Sequence, residues 1–350
     1  HNRDLRIASL NVEQARAQFQ VRRAAQYPAV GLAANASRAP ASGSGDLTNS
    51  FSVGLAVTAW ELDFFGRVAS LKEQALAQYL ASEEGRNAAQ VSLISAVANG
   101  WLTLLADEQL LELSRQTLAT REESVRLTKL RLDSGAASEL DYRQAESLTQ
   151  AARATLAQQQ RQRALDENAL ALLLGQPLPE DIRASLSRSD LRAAPSMQAI
   201  PAGLPSDLLA QRPDIRQAEQ QLVAANANIG AARAAFFPRI ALTAQAGTAS
   251  GELSGLFKNG SWGFTLAPSL LLPLFDAGAN QANLDRAQVG RKLAVAQYEK
   301  SIQTAFREVS DALASQSTLT EQLDAQTKQA EAEAIRLNLA DLRYKNGVAS

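Results

Sequence analysis

The most constraining feature of this 350-residue chain is that it contains one long pattern twice. Residues 2–39 align on 212–249 without a gap: Asp4 on Asp214, Arg6 on Arg216 and Pro28 on Pro238, a constant offset of 210. A second block, 66–138, aligns on 278–350 at an offset of 212, anchored by Gly66/Gly278, Ala75/Ala287, Val97/Val309 and Leu111/Leu323. Both copies hold their two glycines 69 residues apart, Gly66 to Gly135 and Gly278 to Gly347. Chance likeness between Ala-rich helices would not keep register through Pro and Gly punctuation. Two long copies describe a duplicated half-molecule, not a solenoid.

Each half reads as a helix, a strand pair and a very long helix. Leu5, Ala8, Val12, Ala15 and Phe19 recur at helical spacing, and Pro28 ends that helix. Residues 29–38 and 51–60 alternate at period two: Val30, Leu32, Ala34, Ala36, then Phe51, Val53, Leu55, Val57, Ala59. A Gly- and Ser-rich turn, 40–46, joins them. The intervening positions are small or polar, Gly31, Asn35, Ser37, Ser52, Gly54, Thr58, a pattern suited to a barrel with lipid outside and water inside. In the second copy Ile240, Leu242, Ala244 and Ala246 precede a loop at 247–261, and Trp262, Phe264, Leu266 and Leu270 return.

Beyond Gly66 no proline occurs until Pro177, and only Ser134-Gly135 interrupts the pattern. Residues 66–133 predict a helix roughly 100 Å long, 139–174 one of roughly 54 Å, and 2–27 one of roughly 39 Å. The two shorter helices laid end to end nearly match the long one, as a wall of even height requires. From Ile302 through Phe306, Val309, Leu313, Leu323 and Leu337 to Tyr344 a four-three walk follows coiled-coil spacing with many small residues, which fits a helix touching neighbours on two sides. The reading gives a first repeat, 1–174, with hairpin 29–60, long helix 66–133 and returning helix 139–174. A proline-rich, irregular connector follows at 175–211. A second repeat, 212–350, has hairpin 239–273 and long helix 278–345, and stops before any counterpart of 139–174.

Aromatic residues gather near the strand ends: Tyr27, Trp60, Phe64 and Phe65 in one copy, Phe236, Phe237, Trp262 and Phe275 in the other. A belt at a membrane interface explains this placement; the core of a β-sandwich is the alternative. No window approaches 18 uninterrupted apolar residues, so transmembrane helices are not expected, whereas membrane strands need only about ten residues each. Four strands cannot close a barrel. Two chains would give about eight strands and a filled interior; three give twelve and room for water, so the chain is expected to form a homotrimer of approximate sixfold symmetry.

Composition removes other classes. The formal net charge is −1, with no basic field for nucleic acid. Cysteine is absent and there is one histidine, which leaves no thiol nucleophile, Ser-His pairing or metal-ligand spacing. No phosphate-cradling glycine loop is present either, so neither an enzyme nor a cofactor is expected. His1 directly before a helical pattern reads as an internal segment of a longer precursor.

Four spaced segments carry a family resemblance. Trp60-Glu-Leu-Asp-Phe-Phe-Gly-Arg67, Leu204-Pro-Ser-Asp-Leu-Leu-Ala-Gln-Arg-Pro-Asp-Ile215, Ile229 to Pro238 and Ile302-Gln-Thr-Ala-Phe-Arg-Glu-Val309 resemble the signatures of TolC/OprM-type outer-membrane efflux channels. The resemblance covers essentially the whole chain. It implies a mainly α protein with a membrane β-barrel portion, a trimer of twelve strands and twelve tunnel helices, in the Gram-negative outer membrane and reaching into the periplasm. It implies a passive exit duct for drugs and other small molecules, in contact with outer-membrane lipid. Its implied partners are a periplasmic adaptor (membrane fusion protein) and a proton-driven inner-membrane transporter of the resistance-nodulation-division (RND) class. Helix-turn tips that meet the adaptor would correspond to Gly135, Ala136 and Ser138 and to Gly347, Val348 and Ser350. Asp141 and Arg143, in the first tip region, are candidates for gating or for plain solvation. The family's lipoprotein members carry an acylated N-terminal cysteine, which has no counterpart here, and its gating aspartates lie in the helix missing from the second repeat. A coiled-coil adaptor or adhesin without a pore is the competing reading.

Overall fold

The computed structural model describes residues 1–40, 47–186, 191 and 211–346. The element order is α1 (Arg3–Ala24), β1 (Val30–Pro40), β2 (Leu47–Leu62), α2 (Arg67–Asp133), α3 (Glu139–Leu174), α4 (Glu180–Leu186), α5 (Pro213–Ala234), β3 (Arg239–Ser250), β4 (Trp262–Leu271) and α6 (Ala279–Lys345). The chain forms two compact units, His1–Ala24 with Gln78–Met197, and Ala25–Ala77 with Gln198–Ser350.

The first unit is helical. Its core is a leucine cluster, Leu104 and Leu105 of α2 with Leu170 of α3, Leu178, and Leu186 of α4. Gly100 lets α3 approach, since a Cβ there would already touch Leu170 at 3.4 Å. Of the proline-rich stretch expected at 175–211, residues 175–186, 191 and 211 are described. Its first part holds a helix, α4, and Leu178 and Leu186, eight residues apart on either end of it, are buried in the cluster with the α2 and α3 leucines. Helices α3 and α1 meet end to end. Asn2 accepts a hydrogen bond from the Leu5 amide and so caps α1, while its side-chain N–H₂ donates to Leu173 O at 2.8 Å. Gly175, at φ +71°, ends α3 in the left-handed conformation, and a Cβ there would run into the His1 backbone.

The second unit holds one antiparallel sheet in the order β1-β2-β3-β4, with α5 and α6 packed through alanines such as Ala224, Ala227, Ala231, Ala287, Ala294 and Ala305. Small residues let helix backbones approach closely. Gly230 shows the limit: a Cβ on it would fall 2.5 Å from Ser70 Oγ.

Two sequence expectations change in the sheet. Strand β2 starts at Leu47, because pairing with β1 runs on to Pro40↔Leu47, and β3 continues to Ser250, so the second loop is 251–261. Ala59 does not extend the apolar face. A bulge between Val57 and Trp60, with Ala59 at φ +49°, inserts one residue and puts Trp60 on the side of Val57. Finally, α2 is apolar enough over one 18-residue window, mean hydropathy 1.4, to cross a membrane by length and composition. Ser92, Ser95, Asn99 and Thr103 nevertheless recur on one side of that stretch, a polar stripe suited to a helix with water along one face.

Candidate functional site

The sheet has two chemically distinct faces, fixed by its register. Val30↔Val57, Leu32↔Leu55, Leu55↔Ala246, Ala246↔Phe264 and Leu242↔Pro268 put the large apolar side chains on one side. They are exposed: Leu32 keeps 77 % of its surface and Phe264 74 %. The opposite side carries Asn35, Ser52, Glu61, Arg239, Thr243, Gln245 and Ser269. From Phe51 to Leu62 is roughly 36 Å of strand. At the usual tilt that rises roughly 27 Å, close to the ~25 Å apolar band of outer-membrane barrels. The sheet's edges, β1 and β4, pair with no other strand among the described residues. Both edges contain proline, Pro40 and Pro268, which sheets tolerate at edges.

The aromatic residues fall into two groups. Tyr27, Phe64, Phe65, Phe236, Phe237 and Phe275 flank the strands at the end nearest the helices, Trp60 stands just inside β2, and Phe65 stacks on Phe237 at 4.9 Å. Trp262 begins β4 at the opposite, hairpin end, tilted against Phe264 at 6.4 Å. Exposed Phe257 in the same hairpin connection was not singled out by sequence; it lies outside any period.

The segment Trp60 to Arg67 turns a strand into a helix. Asp63 accepts from the Val68 and Ala69 amides, supplying partners for the first turn of α2. Gly66, at φ +73°, makes the turn. The second repeat does the same with Asp276, which accepts from Gly278 and Asn280, and with Gly278 at φ +86°. Glu61 pairs with Arg67 and Arg239, an ionic cluster that periodicity could not reveal.

At the far end of α2, Gly135 at φ +74° closes the helix: its amide donates to Leu132 O, and the Ala136 amide to Arg131 O at 2.7 Å. Ser138 then caps α3 in a reciprocal box with Asp141. The Ser138 hydroxyl and amide hold the Asp141 carboxyl below its ordinary range. Arg143 pairs with Glu139 and Glu146, both at 2.8 Å, and lies over the Tyr142 ring. Gly135, Ala136, Ser138, Asp141 and Arg143 are thus brought together around one exposed turn. Gly347, Val348 and Ser350 lie outside the described residues.

Inside the first unit, sequence reading missed Asp107. It is buried, 7 % exposed, and its Oδ2 has no donor. Burial and the neighbouring Asp166 carboxyl push it up to about 6, and Arg163 opposes this. Among the described residues no cluster of His, Asp or Glu is arranged to hold a metal ion.

Comparison with known proteins agrees with this geometry. A family profile described as outer membrane efflux protein matches residues 1–176 and 204–350. The toluene efflux pump outer membrane protein TtgC of Pseudomonas putida is 46% identical over 356 residues, covering 100% of this chain and 73% of its own. A membrane protein from Pseudomonas aeruginosa superposes with a TM-score of 0.91 at 46% identity, covering 100% of this chain and 79% of that one. The open-state MtrE outer membrane channel of Neisseria gonorrhoeae does so at 0.86 and 41%, covering 100% and 78%. The chain belongs to the outer membrane efflux protein family.

Proposed function

We propose that three copies of this chain close a twelve-stranded barrel in the outer membrane and continue it as a helical tunnel, forming a passive exit duct for small molecules. The observation that carries this is the sheet with one exposed apolar face, one small or polar face, and two unpaired edges. An open sheet edge cannot stand in lipid, because its N–H and C=O groups find no water there. Only strands of further copies can satisfy both edges while leaving a lumen. The exposed apolar side chains of the long helices, such as Ile94, Leu323 and Leu337, find their neighbours in the same assembly. A coiled-coil adaptor or adhesin has no use for an apolar outer sheet face.

Energy for export comes from partners in this reading. The tip around Gly135 and Ser138, small, exposed and tightly turned, is the surface offered to a periplasmic adaptor, which links the duct to an inner-membrane transporter. The relatives' names include toluene, solvent and antibiotic pumps, so apolar and amphiphilic compounds are the proposed cargo. The decisive test is reconstitution: purified protein in planar bilayers should form ion-conducting trimers, yet never concentrate a solute against its gradient by itself. A monomer without conductance, or uphill transport by the lone protein, would end this reading.

A further inference from the structure

The polar face of the sheet carries one built ionic site, at the end nearest the helices. Glu61 keeps only 9 % of its side chain exposed and is held from two sides. Arg67 donates through Nε to Oε1 at 2.8 Å and through a terminal nitrogen to Oε2 at 2.6 Å. Arg239 reaches the same Oε2 through its Nε at 2.8 Å. The carboxylate therefore lies beneath two guanidiniums, and the group facing outward is Arg239, 56 % exposed. Glu61 and Asp63 together balance the two arginines, but Asp63 turns both oxygens to the α2 backbone, which leaves the outer amines of Arg239 facing the cavity.

Arg239 spends Nε on Glu61, and a guanidinium has five N–H donors in a rigid fork, so its outer pair of amines keeps the geometry that grips a carboxylate. Beside it lies a cavity of about 260 Å³ lined by both arginines and by Phe65 and Phe237. Those rings stack at 4.9 Å and form an apolar wall next to the fork. The turn itself does not need these ions. In the second copy the position of Arg67 is taken by Ala279, and in the first copy that of Arg239 by Ala29, yet both long helices start in the same way.

We infer that Arg239, braced by Glu61 against Phe65 and Phe237, is a binding site for the carboxylate of amphiphilic aromatic solutes passing along the polar face. The site rests on the duct reading, in which that face lines the lumen. The ring takes the apolar wall and the carboxylate takes the fork, so neutral molecules of the same shape are held less.

Calorimetric titration of the full, detergent-purified protein tests this with 1-naphthoate and, as the neutral match, 1-naphthalenemethanol. Wild type should bind the acid more tightly than the alcohol, and R239Q should weaken the acid by about tenfold or more, as loss of a charge-assisted pair does. E61Q loosens the brace but keeps the fork and its charge, so it should weaken the acid by clearly less than R239Q does. Should R239Q fail to assemble, R239K keeps the charge and loses the fork, and about threefold weaker binding is expected. Equal affinity for acid and alcohol, an unchanged R239Q (or R239K in its place), or a loss in E61Q as large as in R239Q overturns the assignment. Absence of ion current through the wild-type protein would instead count against the duct and leave the binding result standing.

Discussion

Gly54 and Gly247 face each other across β2 and β3, and neither position has room for a side chain. A Cβ on Gly54 would lie 2.7 Å from the Gly247 Cα, and one on Gly247 would lie 2.4 Å from the Gly54 Cα. Both belong to the polar face, and the row continues to Ala33 on β1 and Gly263 on β4. Backbones crowd on the inside of a bend, so the sheet curls with its polar face concave. That is the sense of curvature a water-lined barrel needs, with glycine placed at the corner.

Alanine at Gly54 or Gly247 should therefore flatten the sheet and block closure. Alanine at Gly263, where nothing lies within 4 Å, should be tolerated. Heat-modifiable migration of the assembled protein on gels reports closure. Assembly of G54A and G247A in wild-type amounts would remove the glycine corner from the account.

The face assignment makes a separate demand. Leu32→Arg places a cation on the apolar side and should cost about 2–4 kcal/mol if that position lies near the bilayer midplane. Asn35→Arg, on the polar side, should be close to neutral. Denaturant unfolding in lipid vesicles measures both, and equal costs would mean that the two faces are not differently solvated.

At the tip, Gly135→Val forces a β-branched residue into a left-handed conformation, with a local cost of about 1–2 kcal/mol. Nothing surrounds the new side chain, so the fold should survive and the surface alone should change. Trimer yield is expected to match wild type, while drug resistance in a strain lacking its own channel falls by about an order of magnitude, since a protruding side chain bars close backbone approach. Undiminished resistance would remove the tip from the adaptor contact.

How much of this was legible beforehand depends on the kind of signal. The apolar face of the sheet could be read because period-two alternation is local, from Val30 to Ala36 and from Phe51 to Val57. It failed at Ala59, where a bulge costs one residue and leaves no mark in hydrophobicity. The Trp60 to Arg67 segment could be recognised by likeness, but its ionic logic depends on Arg239, distant in sequence and placed beside Glu61 only by the β2–β3 register. The burial of Leu178 and Leu186 was hidden in the same way: a proline-rich stretch looks like a surface loop until the α2–α3 seam that receives its leucines is known. Asp107 gave no signal, since one aspartate in a 67-residue helix matches any solvated position.

That aspartate sets the pH response of the first unit. Its carboxyl is pushed from 3.8 in the ordinary case to about 6 by burial and by Asp166, with Arg163 opposing. A raised carboxyl binds its proton more tightly when folded. The stability it contributes is complete below about 3.8 and is lost as pH rises through about 6. The ion pairs of Arg163 with Glu108 and Glu167 ring the same site. Asp107→Asn removes the titration and keeps a side chain of the same shape. The variant should gain up to about 3 kcal/mol over wild type at pH 8 and little at pH 4. Thermal melting of both proteins across pH 4 to 8 checks this. A constant gap between the two curves would show that Asp107 does not change its protonation in that range.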